Sequence, residues 1–237
     1  MTGSLVSPAT RQRVRDLATP IATALGRLGL TPNALTLIGF VGTGVAAVAV
    51  ANQWWLAGGI LVLIFGIFDL FDGALARATG QASKLGAFLD STFDRAGEGI
   101  VYIGIAAGSV GAGFAPGAAL AVTALAAASM VPYTRAKAEG LGFSTGTGMA
   151  AVGLAPREVR VALLSIGLIL TSLIQPFVRP EACTQTGPAT LACIYGLGNS
   201  PLTGSAVLAS TLGLITILAT ITTIQRILHV RAQAQEG

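Results

Sequence analysis

The stretch that decides the class of this protein reads Asp69-Leu-Phe-Asp72-Gly73-Ala-Leu-Ala76-Arg77, followed by Gly86, Asp90 and Asp94. It places four of the five aspartates of a 237-residue chain close together in sequence. The segment just before it, 61–68, is nearly all apolar. Carboxylates at the end of a membrane-length helix are costly unless something compensates them, so they indicate a functional site. Divalent metal ions are the natural compensation.

The composition predicts an all-α, polytopic membrane protein. Hydrophobic residues make up 53% of the chain and charged residues 10%, whereas a soluble domain carries about 25% charged residues. The 31 glycines fit this class, because glycine is more frequent in transmembrane helices than in soluble ones. We therefore expect one membrane domain over residues 1–237 and no soluble appendage.

Six apolar segments reach or exceed the ~20 residues that are needed to cross the hydrocarbon core. They are residues 32–51, 54–78, 84–112, 115–141, 157–178 and 203–232, which together predict a six-helix bundle over 32–232.

The leader at 7–30 predicts an amphipathic helix that lies in the membrane surface. Apolar residues such as Leu17, Ile21, Leu25 and Leu28 recur at spacings of three and four, and arginines supply the charge. We expect this helix to be broken at Pro20. An ordinary solvated leader is the alternative.

The basic residues orient the bundle. With six spans both termini share a side, and 13 of the 14 Lys and Arg residues then fall on or near that side, with only Arg179 opposite. By the positive-inside rule, the termini and the aspartates are cytoplasmic, in a cell (inner) membrane protein. The net charge of +4 does not indicate nucleic acid here, and the one-sided distribution of the charge fits a lipid bilayer as partner.

Two further features stay open. Cys183 and Cys193 share one outer loop, where a disulfide would persist, although two free thiols are the alternative. Gly104 and Gly108 are four residues apart in the third span. Small residues at that spacing permit close helix packing, either in a dimer or within the chain.

The aspartate spacings predict a metal site. Asp69 and Asp72 are three apart and Asp90 and Asp94 four apart, so each pair lies on one face of a helix. A short turn between antiparallel helices brings the pairs together, where four carboxylates repel. Oxygen ligands suit Mg2+ or Mn2+, and two such cations can clamp a phosphoryl group.

The residues around the aspartates fit a phosphate ligand. Gly73 and Gly86 let backbone and phosphate approach closely. Arg77 can donate two parallel hydrogen bonds to a phosphate. Further basic residues at the cytoplasmic ends of the later spans suit a phosphate monoester, namely Arg135, Lys137, Arg157, Arg160 and Arg226. Positive-inside anchoring with snorkelling is the alternative for each of them.

The eight-position pattern from Asp69 to Asp94 resembles the signature of the CDP-alcohol phosphotransferase family at every position. The resemblance implies transfer of a phosphatidyl group from CDP-diacylglycerol to an alcohol, with release of CMP, in phospholipid biosynthesis. It implies that the four aspartates hold two divalent cations and that Asp94 also takes the proton of the attacking hydroxyl. It also implies a possible homodimer. The donor contacts that it implies are Asn33, Thr36, Asp72, Gly73, Arg77 and Ser83.

The stretch Tyr133–Glu139, the pair Arg157 and Arg160, and Gln225-Arg226 resemble the branch that uses inositol phosphate, the phosphatidylinositol phosphate synthases and their archaeal ether-lipid relatives. This branch implies a phosphorylated polyol as acceptor, bound by the five basic residues. Relative to the usual Lys and Arg of this branch, the chain has Arg at position 135 and Lys at position 137. Glycerol 3-phosphate is the alternative acceptor.

Two other classes place acids in a membrane. An aspartate-rich prenyltransferase has other carboxylate spacings and lacks the Gly-x2-Ala-Arg element. An ion transporter would carry its acids near the midplane in broken helices. Both are remote alternatives here.

Overall fold

The computed structural model describes residues 8–143, 152–174 and 203–236. Within these ranges it describes the side chains from residue 17 to residue 235, with the exception of Asp69. Cys183 and Cys193 lie outside the described residues, so their disulfide stays a prediction.

The described residues form seven helices and no strand, which confirms the all-α class. Each predicted segment corresponds to one helix, although the fifth predicted span ends at Leu173 and the sixth runs on to Glu236. The helices are α1 Pro8–Arg27, α2 Pro32–Ala51, α3 Trp55–Ala78, α4 Lys84–Gly111, α5 Ala115–Gly140, α6 Arg157–Leu173 and α7 Gly204–Glu236.

Local capping explains where α2 and α4, the two helices on either side of α3 in sequence, begin. Thr31 has extended backbone, its hydroxyl accepts a hydrogen bond from the Ala34 amide at 3.2 Å, and Pro32 follows at the first helical position. Ser83 caps α4 in the same way, by accepting from the Gly86 amide at 3.0 Å. Such caps satisfy amides that the first helical turn leaves open.

Four of the described helices are long and apolar enough to cross a membrane. The other two predicted spans differ for visible reasons, because α4 carries several charged residues and α6 has 17 described residues. The four are Pro32–Ala51, Trp55–Ala78, Ala115–Gly140 and Gly204–Gln235.

Helices α2 to α7 form a closed ring. α2 packs on α3 and α4, α4 on α5, α5 on α7, α7 on α6, and α6 returns to α3. One apolar cluster fills the half of the ring that contains the ends of α2, α4 and α6 and the starts of α3, α5 and α7, and it includes Trp55, Tyr102, Ile105, Leu168 and Leu212. The opposite half is the one that gathers the polar residues.

Helix α1 lies outside the ring, against α3. Ala18 and Ala22 are buried with Leu75 of α3, while Leu17 and Leu28 are exposed. The predicted break at Pro20 is wrong, because α1 continues through this residue. A proline inside a helix removes one backbone hydrogen bond, and the packing of α1 on α3 holds the helix together across this defect.

Gly104 and Gly108 pack α4 against α2 within one chain. A Cβ atom at Gly104 would collide with the carbonyl oxygen of Ala47, and one at Gly108 with that of Val50. The two glycines are buried. Of the two alternatives that the sequence left open, the structure therefore supports internal packing, which needs small residues where backbones meet.

Candidate functional site

Polar side chains gather at one end of the ring, where α2 and α6 begin, α3 and α5 end, and α4 and α7 pass through. Asp72 comes from the last turns of α3, and Asp90 and Asp94 come from the first turns of α4. The side chain of Asp69 lies outside the described part. Because α3 and α4 are joined by the short turn at 79–83, the predicted hairpin brings these carboxylates to one region.

A first cavity of about 230 Å³ lies between the start of α2 and the α3–α4 hairpin, and we call it the Gly-Asp cavity. Its lining includes Gly86, Asp90 and all six residues that the family resemblance assigned to the donor. These six are Asn33, Thr36, Asp72, Gly73, Arg77 and Ser83.

Asp72 is the buried carboxylate of this cavity, with 5% of its surface exposed. The Thr36 hydroxyl donates a hydrogen bond of 2.5 Å to Asp72 Oδ2. A charge-assisted bond of this length orients its acceptor strongly. Thr36 therefore joins α2 to α3 and fixes the direction of the Asp72 carboxylate.

The two glycines of the pattern lie where other groups approach them. A Cβ atom at Gly73 would stand 3.3 Å from Nη1 of Arg77, so the guanidinium folds back over this position. A Cβ atom at Gly86 would stand 3.1 Å from Ser83 Oγ and 3.4 Å from Asn33 Oδ1. Side chains at these two positions would fill part of the Gly-Asp cavity.

A second cavity of about 330 Å³ lies inside the ring, and we call it the arginine cavity. Its apolar lining includes Leu63 and Ile67 of α3 and Val161 of α6. Its charged lining combines two carboxylates, Asp94 and Glu158, with five arginines: Arg95, Arg135, Arg157, Arg160 and Arg226. An excess of cations in a half-enclosed space favours an anionic ligand.

Four of the five predicted acceptor residues line this cavity, and Lys137 does not. Lys137 is exposed near the end of α5. Arg226 is almost buried, and it donates through Nε to the Val152 carbonyl at 3.1 Å and through Nη1 to the Val131 carbonyl. These hydrogen bonds connect α7 to α5 and to the segment before α6.

Two ion pairs connect α4 to α6. Arg157 Nη2 stands 2.8 Å from Asp94 Oδ1, with 22% and 14% of the two side chains exposed. One turn further into the ring, Arg160 donates through Nε and Nη2 to the two oxygens of Glu98, both at 2.8 Å. The Asp94 carboxylate therefore faces the arginine cavity with a cation already beside it.

The carboxylates lie between separate cavities. Asp90 lines the Gly-Asp cavity, and together with Asp94 it lines a groove of about 730 Å³ between α4 and α5. Among the described side chains, which leave out Asp69, no three carboxylate, imidazole or thiolate groups converge as a ready cation site. The oxygen-only donor set along this border still fits hard divalent cations.

Two residues of the site were not predicted from the sequence. Arg95 lines both the arginine cavity and the α4–α5 groove, and Glu98 holds Arg160. A signal for Glu98 existed, because Asp90, Asp94 and Glu98 follow one another at four-residue spacing and so share a helix face. Arg95 lies off this series and gave no comparable signal.

Comparisons with known proteins agree with this geometry. A family model described as CDP-alcohol phosphatidyltransferase matches residues 29–187. An archaetidylinositol phosphate synthase of Pyrococcus horikoshii is 37% identical over 163 residues, which cover 69% of this chain and 82% of that protein. A phosphatidylinositol phosphate synthase of Cutibacterium acnes is 36% identical over 178 residues, which cover 73% of this chain and 82% of that protein.

Solved structures extend the similarity over the whole fold. Two crystal structures of the phosphatidylinositol phosphate synthase of Mycobacterium tuberculosis match at 26% identity, one with CDP-DAG bound and one in complex with manganese and citrate. Their TM-scores are 0.68 and 0.67. The matches cover 91% and 90% of this chain, and 94% and 88% of the respective structures.

Proposed function

Because this chain belongs to the CDP-alcohol phosphatidyltransferase family, a family of membrane enzymes of phospholipid biosynthesis, we propose that it transfers a phosphatidyl group from CDP-diacylglycerol to inositol phosphate. CMP is the second product. The observation that carries the choice of acceptor is the arginine cavity, with five arginines and two carboxylates in its lining. A phosphate monoester brings about two negative charges, which free inositol lacks. The relatives named as inositol phosphate lipid synthases support the same acceptor.

The donor occupies the Gly-Asp cavity in this proposal. Asn33, Thr36 and Ser83 meet the nucleotide, and Arg77 meets its phosphates across Gly73. The support is that all of these residues line one cavity and that a related structure holds CDP-DAG. Two divalent cations, Mg2+ or Mn2+, bound by Asp69, Asp72, Asp90 and Asp94, supply positive charge beside the diphosphate. The manganese in a related structure supports this assignment.

The residues of the chain have separate roles in the transfer reaction. The acceptor hydroxyl oxygen bonds to the β-phosphorus of the donor, the bond between that phosphorus and the bridging oxygen breaks, and the electron pair leaves with CMP. The hydroxyl proton passes to the Asp94 carboxylate, which acts mainly by position. Arg157 contacts Asp94 at 2.8 Å and lines the arginine cavity, so it places the acceptor phosphate next to the base. Arg135, Arg160 and Arg226 complete the acceptor contacts, whereas Lys137 lies outside the lining of this cavity.

The protein is integral to the membrane, and we propose the finer arrangement. The ring of α2 to α7 spans the bilayer six times as one domain with α1 in the interface. The polar half of the ring and both termini face the cytoplasm. The one-sided distribution of Lys and Arg supports this orientation. A homodimer is also proposed, with a contact surface other than the Gly104–Gly108 face.

Release of CMP tests the function. Purified protein in detergent micelles is incubated with CDP-diacylglycerol, Mn2+ or Mg2+, and inositol phosphate, inositol or glycerol 3-phosphate in parallel. We expect CMP with inositol phosphate, little with the other two alcohols, and none after chelation with EDTA until the metal is restored. Turnover with glycerol 3-phosphate alone would reassign the acceptor, and turnover in EDTA would remove the cations from the proposal.

A further inference from the structure

Glu98 and Arg160 form the most enclosed ion pair that the structure describes. Nε and Nη2 of Arg160 each donate to one oxygen of Glu98 at 2.8 Å, which is a bidentate arrangement. The two side chains are only 1% and 8% exposed. Nη1 of Arg160 donates to the Ala155 carbonyl at 2.9 Å, so each of the three guanidinium nitrogens makes one hydrogen bond.

Stability alone is a weak explanation for such a pair. Desolvation of two charges offsets much of their attraction, and well-packed apolar residues of similar volume are often equally stabilising. The other pairs near the site are more open. Arg157 and Asp94 are 22% and 14% exposed, and Arg135 and Glu139 are 47% and 39% exposed. Glu98 and Arg160 therefore differ from their neighbours in being both buried and doubly bonded.

The remaining hydrogen-bonding capacity of Arg160 points to a role in binding. A guanidinium carries five N–H groups, and the described contacts with Glu98 and Ala155 use three of them. One N–H on Nη1 and one on Nη2 are left. Arg160 also lines the arginine cavity. A planar group whose outer edge is held on a carboxylate and a carbonyl has a fixed direction for its other donors.

We propose that Glu98 is a positioning residue, which acts through Arg160 to fix two guanidinium N–H groups toward the phosphate of the acceptor. This inference rests on the proposed function of the arginine cavity. Glu98 itself does not line the arginine cavity, so it acts on the acceptor through Arg160. Its charge also offsets that of Arg160, so that Arg160 stays buried at its place when the cavity holds no anion.

Substitutions at Glu98 separate charge from shape. Glu98→Gln keeps the length of the side chain but turns one amide NH2 toward the guanidinium, which removes a hydrogen bond and the negative charge. Glu98→Asp keeps the charge and shortens the reach by one methylene. Glu139→Gln is the matched control, because Glu139 also pairs with an arginine of the cavity, but in an exposed arrangement within α5. Exposed pairs contribute little.

The test measures the KM for inositol phosphate and the KM for CDP-diacylglycerol in each variant. For Glu98→Gln we expect the KM for inositol phosphate to rise about tenfold or more, with the KM for CDP-diacylglycerol within about twofold of wild type. Glu98→Asp should restore part of the loss, and Glu139→Gln should stay within about twofold for both substrates. In an Arg160→Gln background, Glu98→Gln should add no further loss, because the two residues act as one unit.

Three results would overturn the inference. They are an unchanged KM for inositol phosphate in Glu98→Gln, an equal rise of both KM values, and independent losses in the double variant. If Glu98→Gln fails to fold, Glu98→Asp carries the same comparison, and an unchanged ratio of its two KM values refutes the proposal. Wild-type protein that releases no CMP with inositol phosphate would refute the proposed function instead, so the two failures are distinguishable.

Discussion

Replacement of Thr36 by valine removes one hydroxyl at the border between α2 and α3. Valine keeps the β-branched shape of threonine, so α2 and its packing should persist. The hydroxyl donates to Asp72 Oδ2 at 2.5 Å, and Asp72 is 5% exposed. Valine offers this carboxylate no replacement donor. The change therefore tests whether the direction of one carboxylate matters for turnover.

The expected loss follows from this geometry. A hydrogen bond to a charged group contributes about 1.5–3 kcal/mol, and loss of a group that orients a metal-binding side chain lowers affinity or activity about 10–100-fold. We expect Thr36→Val to lower kcat/KM for CDP-diacylglycerol within that range. The same assay of CMP release, repeated over a series of Mn2+ concentrations, should show that more Mn2+ is needed for half-maximal activity.

Thr43→Val is the matched control. Thr43 lies two turns further along α2, and its hydroxyl donates to the Gly39 carbonyl at 2.8 Å within the same helix. Its loss should change kcat/KM by less than about twofold, because a neutral bond to a helix carbonyl contributes little net energy. Equal activities of Thr36→Val and Thr43→Val would refute the idea that Thr36 orients Asp72 for catalysis.

Three further predictions concern the base, the acceptor and the packing of the ring. Asp94→Asn should abolish CMP release while the protein still elutes as a folded species in size-exclusion chromatography, and normal turnover would remove Asp94 as the base. Arg226→Gln should raise the KM for inositol phosphate about tenfold or more and the KM for CDP-diacylglycerol far less; the reverse pattern would move the acceptor elsewhere. Gly104→Ala should lower the thermal unfolding midpoint by several degrees, because the added methyl group meets the Ala47 carbonyl. Gly44→Ala is the control, because a methyl group at Gly44 meets nothing within 4 Å. This variant should leave the midpoint unchanged or raise it. Equal midpoints would contradict the tight α2–α4 contact.

The parts of the fold that follow local rules were predictable from the sequence. Thr31 and Pro32 indicate the start of α2, and Ser83 indicates the start of α4, because capping depends on a few adjacent residues. Helix length followed from the apolar runs. Asp72, Asp90 and Asp94 came to one region because a short turn joins their helices. The shared lining of the Gly-Asp cavity followed from the family pattern in the same way.

The parts that depend on tertiary packing were not predictable. Gly104 and Gly108 could have faced a second chain or α2, and spacing alone cannot distinguish these. The break predicted at Pro20 does not occur, because α1 packs against α3, and the sequence does not reveal this contact. Arg157 and Arg160 looked equivalent as a pair three apart, yet one turn of helix separates a half-open contact with Asp94 from a buried one with Glu98. The difference arises from depth in the ring, which no local pattern encodes.

The apolar cluster around Tyr102, Ile105 and Leu168 closes one end of the ring, so the ring contains a pocket and not a channel. These side chains are at most 1% exposed, and they close the floor beneath the charged walls. A polar substrate that enters at the mouth therefore has to depart through the same mouth. In the proposed function, both the polar acceptor and CMP therefore use the same opening.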